Sequence, residues 1–124
     1  MGVIGIERNG ADNTGQFKVN LDSSGTLATR FAVNACGQAV FADGAACKPS
    51  ITNCGDLNTG IFWPANDSMG VVNCNLERFR FSGSAFFVMD TANAKMDRGI
   101  TLQQTTSDNE ILAFKSCDVA HDFT

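Results

Sequence analysis

Charge is scarce in this chain. Only 18% of its 124 residues are charged, below the usual quarter, and Asn, Thr, Ser and Gly take their place. The nine Lys and Arg residues are scattered and the formal net charge is −4, so no positive field exists to neutralise phosphates and nucleic acid is not expected as a partner. Long apolar runs are missing too. The longest, Ala85 to Met89, falls far short of the roughly 20 residues that span a bilayer, and no membrane insertion is expected. There is no Cys-x-x-Cys pair, and the single histidine, His121, lies in the terminal tail. No metal site or cofactor follows from such spacing. The N-terminus lacks the positive head, apolar stretch and cleavage site of a signal peptide; a processed chain would lack them as well, so export stays open.

What the chain does have is turn chemistry. Gly, Asn and Asp tolerate positive φ, and Ser, Thr, Asn and Asp bond their own backbone, which suits short strands joined by tight turns and disfavours helix. A chain of this length can remove about two thirds of its unfolded surface from water. The five cysteines, Cys36, Cys47, Cys54, Cys74 and Cys117, are an odd number, so at least one stays unpaired within a chain and bridges between chains become an option. Cys36, Cys54 and Cys74 fall in predicted turns. Such placement favours access to the thiol but says nothing of the Cα separation a bridge requires.

Periodicity predicts the strands. Residues 2–15 read as a short strand and a loop. Phe17, Val19 and Leu21 alternate with Gln16, Lys18 and Asn20, the period of two of a strand with one buried face. After a turn at residues 22–25 the alternation resumes with Leu27, Phe31 and Val33 around Thr29, and stops at a second turn, residues 34–37. Ala39 to Phe41 reads as a third strand, followed by an irregular stretch broken by Pro49. Ile51 to Leu57 contains a turn at Asn53, Cys54 and Gly55, and Ile61 to Trp63 is a strand that Pro64 must end or place at an edge. Phe79 and Phe81 face one way and Arg78 and Arg80 the other, which predicts one wet face. Ala85 to Met89 is apolar on both faces, so it needs cover from two sides. Residues 90–98 have the best local helix composition but are barely two turns long. Ile100 and Leu102 form a further strand, and residues 110–116 are ambiguous between strand and helix. Asn13, Thr14, Gly15 and Phe17 are echoed by Asn58, Thr59, Gly60 and Phe62, a faint internal repeat.

The segment Asp56-Leu57-Asn58-Thr59-Gly60-Ile61-Phe62-Trp63-Pro64-Ala65-Asn66-Asp67, with Gly70-Val71-Val72 and Leu76-Glu77-Arg78-Phe79-Arg80-Phe81, resembles a stretch that recurs in phage tail fibre proteins. A second resemblance lies in residues 99–104 and 108–121. In that family's pattern Asp56, Asn58, Thr59, Gly60 and Pro64 make a structural turn motif before and around an aromatic pair. The resemblance implies a homotrimer in which three parallel chains wind into an elongated shaft, with host recognition at a distal tip. Two features depart from the family. Its members are usually much longer, which suggests a shaft fragment or a dedicated short subunit, and cysteine replaces the small polar residue expected in several turns.

The expectation is therefore an all-β chain of short strands and tight turns, forming one fibrous, trimeric, intertwined segment over residues 1–124. Within it residues 1–55 are a turn-rich N-terminal part, 56–98 carry the tail-fibre-like motif and 99–124 are a C-terminal element. Its role is structural and non-enzymatic, in a virion or another extracellular setting, with self-association as its partner and host-surface glycan held by another region. His121 with Asp118, Asp122 or Cys117 could be arranged as a catalytic cluster, but a solvated tail explains them better. Trp63 and Asn66 are weak candidates for holding a sugar, since aromatics such as Trp63 and Phe62 are more often core. Asn66-Asp67-Ser68 is a glycosylation sequon by pattern. Two alternatives stand beside the fibre segment: a secreted filament subunit polymerising end to end through donated strands and stapled by cysteines, and a compact glycan-binding β-sandwich.

Overall fold

The computed structural model describes residues 2–8, 15–106 and 109–114. These residues are all-β, with no helix among them, and form two sheets. The first sheet is an antiparallel meander of β1 (Gly2–Arg8), β2 (Gly15–Ser23), β3 (Thr26–Val33) and β4 (Ala39–Phe41). The second contains β5 (Ile51–Asn53), β6 (Asp56–Phe62), β7 (Ser68–Asn73), β8 (Leu76–Ser82), β9 (Ala85–Val88) and β10 (Gly99–Leu102), in the order β10-β9-β8-β7-β6-β5. Every neighbouring pair is antiparallel except β9 and β10, which run parallel. A parallel pair cannot be closed by a tight turn, so residues 89–98 must cross over one face of the sheet.

Local chemistry fixes the hairpins. Between β2 and β3, Ser24 and Gly25 both take positive φ (59° and 83°), and Asp22 Oδ1 accepts the Gly25 N–H at 2.8 Å. Between β7 and β8, Cys74 and Asn75 do the same at 55° and 65°. Two consecutive residues of positive φ match the right-handed twist of the flanking strands, which is why such turns dominate two-residue hairpins. Asn34 Oδ1 accepts the N–H groups of Cys36 and Gln38, and Asn53 Oδ1 that of Gly55. An asparagine therefore precedes and braces each of these cysteine-bearing turns.

Several elements differ from the sequence reading. Asp56, Asn58, Thr59 and Gly60 were expected in a turn but lie within β6; the turn is at Cys54 and Gly55, and Pro64 follows the strand as expected. The first strand runs the full seven residues of β1. Residues 90–98, the best helix composition in the chain, carry turns and bends, because Asn93 Oδ1 takes the Lys95 N–H and Asp90 Oδ1 those of Thr91 and Ala92. Side-chain bonds of this kind compete with helical ones. Residues 110–114 carry neither strand nor helix. Asn13, Thr14, Cys117, Asp118, His121 and Asp122 lie outside the described residues.

The core is small. Among the described residues the buried apolar side chains are Ala32, Pro49, Phe62, Val72 and Phe87, and Val72 is completely closed off. Phe62, Val72 and Phe87 share one face of the second sheet. The register aligns Phe62 with Gly70, Arg80 and Phe87, and Phe87 with Thr101. The Phe62 ring lies so close over Gly70 that a Cβ there would come within 2.5 Å of it, so only glycine fits beneath. The crossover covers the same face: Asn93 Nδ2 donates to Thr101 Oγ1 at 3.1 Å, and that hydroxyl reaches Met96 Sδ. Arg80 completes it by a two-pronged pair with Glu77, Nε to Oε1 at 2.5 Å and Nη2 to Oε2 at 2.6 Å. The bond to the Glu77 carboxylate raises the Arg80 pKa against the opposing pull of desolvation.

Candidate assembly surface

The opposite face of the second sheet is apolar from edge to edge. Pairing carries Ile51 to Ile61, Val71, Phe79, Val88 and Leu102 in one row, and Met69 to Phe81, Phe86 and Ile100 in the next. Cross-strand neighbours share a face, so these side chains form one surface. Phe86 is stacked against both Phe79 and Phe81, with ring centroids 6.0 and 4.7 Å apart. Yet none of the described residues covers them. Phe79, Phe81 and Ile100 are 41%, 47% and 66% exposed, and the remaining members are at best half-buried, with Ile51 open.

The first sheet repeats the pattern. Ile6 pairs with Phe17 and Phe17 with Val33, while Ile4 pairs with Val19, Val19 with Phe31 and Phe31 with Phe41. Ile4 and Ile6 are 73% and 84% exposed. The other face of this sheet carries Lys18, Asn20 and Thr29, the last two joined by a 2.8 Å hydrogen bond. Aromatic contacts join the two sheets. Phe17 meets Phe31, Phe31 meets Phe41, and Phe41 stacks within 9° of parallel on Trp63, one residue beyond β6. A backbone bond reinforces the join, from the Trp63 main-chain N–H to the Asp43 carbonyl at 2.8 Å.

Residues singled out from sequence fall in distinct places. Trp63 is half-buried and Asn66 exposed, both beside the junction of the sheets. Cys36, Cys47, Cys54 and Cys74 are exposed free thiols within this single chain. The stretch Ala85 to Met89, expected to be a strand needing cover on both sides, is strand as far as Val88 and has cover on one: Phe87 is buried, while Phe86 and Val88 are half-buried on the open face. The expectation for β8 is inverted in an instructive way. Phe79 and Phe81 do share a face, but it is the open one, and the Arg80 side is the sheltered one. Ile4, Ile6, Met69, Val71, Ile100 and Leu102 belong to the surface, although no single strand marks them; only the cross-strand register assembles them.

Comparison with family models, with curated proteins and with solved structures finds no match for this chain. Residues 56–81 hold β6, β7 and all but the last residue of β8, the centre of the second sheet.

Proposed function

We propose that this chain is a structural segment of a phage tail fibre or a similar virion appendage, acting as a homotrimer whose copies cover one another's apolar faces. The observation that carries the reading is the uncovered face running over both sheets. Ile4, Ile6, Phe17, Phe79, Phe81 and Ile100 all stand exposed on it, and contiguous apolar surface of this kind marks an interaction site. A sheet with one apolar face must bury it against another layer, and the described residues supply no second layer there. Identical copies carry the same surface, so they can supply it by symmetry. The open face calls for partners, and the tail-fibre-like motif supplies their number. The role is mechanical: chains that share a core come apart only together, which gives stiffness without chemistry.

Light scattering on the purified chain tests the proposal. The expected mass is three times 13.2 kDa, with unfolding that depends on protein concentration. Ile6→Lys combined with Phe79→Lys should release monomers that keep their β-sheet circular dichroism. A 13.2 kDa species whose unfolding ignores concentration overturns the assembly, and an open ladder of masses transfers it to an end-to-end filament.

A further inference from the structure

We propose that the cleft at the junction of the sheets, between β4 and the turn that follows Trp63, binds a neutral saccharide. The cleft holds about 400 Å³, within the range of small-ligand sites. Trp63 and Phe41 supply its aromatic wall, and Gln38, Asp43, Asn66 and Asp67 its polar rim. This is the combination that recognises a sugar ring: an aromatic surface for its C–H face and a few fixed acceptors and donors for its hydroxyls.

The walls are held from behind. The Trp63 N–H is bonded to the Asp43 carbonyl, and the Asp67 carbonyl accepts the Gly83 N–H at 3.2 Å. Gln38 is gripped by Asn34, whose Nδ2 donates to Gln38 Oε1 at 2.8 Å and whose Oδ1 accepts the Gln38 N–H. By contrast the carboxylates of Asp43 and Asp67 and the amide of Asn66 are exposed and make no hydrogen bond to another described residue. Two carboxylates can accept from neighbouring hydroxyl pairs, and the amide can both donate and accept. No Lys or Arg lines the cleft, so its charge is negative and it disfavours sialylated, sulfated or phosphorylated sugars. The ligand class is therefore an uncharged glycan. Phe41 also belongs to the apolar face of the first sheet, so the inference requires an assembly that leaves the junction of the sheets open.

Trp63 is the chain's single tryptophan, so its fluorescence reports on the cleft alone. Titration with neutral oligosaccharides, paired with their sialylated or sulfated counterparts, should give a saturable shift for a neutral sugar and none for its acidic partner. Trp63→Ala also removes the Phe41 stack, so the decisive variant is Asn66→Ala at an exposed position. It should weaken binding about tenfold with unchanged circular dichroism and unchanged mass by light scattering. Absence of a saturable response to any neutral sugar, equal affinity for the acidic counterpart, or full affinity in Asn66→Ala each overturns the proposal.

Discussion

Two hairpins in this molecule are built on one plan and end with different fates. In β2–β3 and in β7–β8 the turn uses two residues of positive φ, and each second strand carries a bulge at an arginine. Val19 pairs with Phe31 and Asn20 with Thr29, leaving Arg30 unmatched; Val71 pairs with Phe79 and Val72 with Glu77, leaving Arg78 unmatched. The residue that follows the paired valine decides the difference. In the first hairpin it is Asn20, bonded to Thr29 on a polar face; in the second it is Val72, at 0% exposure. Both hairpins present an apolar face to the outside, but only the second has a core of its own on the reverse. The six-stranded sheet is thus the self-supporting part of the chain, and the four-stranded sheet depends on what covers it.

Exchanging the two residues tests that contrast most severely. Val72→Asn removes a completely buried side chain and leaves an amide unsatisfied beneath Phe62 and Phe87, a combined cost on the order of 3–5 kcal/mol. Asn20→Val, its mirror image, should change stability by less than about 1 kcal/mol, since it gives up one exposed hydrogen bond. Urea unfolding of both variants measures the difference. Equal effects would mean that the sheets are equally self-supporting, and the contrast would be lost.

How much of this was legible in the sequence follows from the same hairpins. The alternation of Phe17, Val19 and Leu21 is observed in β2 as expected, because a regular strand keeps period two and its turn residues mark both ends. Leu27 escaped the reading. The bulge at Arg30 shifts the register, so Leu27 pairs with Asp22 and stands 51% exposed on the polar side, opposite to Phe31. One extra residue reverses every side chain beyond it, and no local composition announces it. The Asp56 to Gly60 segment departs from its expected turn for a related reason: Asp, Asn, Thr and Gly are turn residues by habit, but Asp56 pairs with Asn53, Gly60 pairs with Thr52 and Val72, and Thr52 Oγ1 donates to the Asp56 and Thr59 carbonyls between them. Trp63 and Asn66 were visible as isolated candidates. Asp43 and Gln38, their neighbours in the cleft, were not, since only the tertiary join between sheets brings them near.

The Arg80–Glu77 pair adds a polar clasp to the covered face of the second hairpin. The pair is bidentate and its side chains are 21% and 13% exposed, so it is better placed than an ordinary surface ion pair. Glu77→Gln keeps the shape and removes the charge. The expected loss is roughly 1–2 kcal/mol, seen as a lower urea midpoint with an unchanged slope. A changed slope would show instead that the pair sets how compact the covered face is.

The smallest effect lies in the turns themselves. Ser24 and Gly25 suit their positive φ through the glycine, whereas Cys74 and Asn75 place a non-glycine residue at both positions. Asparagine tolerates the left-handed region better than cysteine, because its short amide can bond the local backbone. Cys74→Asn should therefore stabilise the second hairpin by a few tenths of a kcal/mol, at the limit of a careful thermal unfolding series. Cys74 is an exposed free thiol in the single chain, so the substitution costs no packing. If it destabilises instead, under non-reducing conditions only, Cys74 is bridged to another copy in the assembled protein, and the second hairpin too leans on its neighbours.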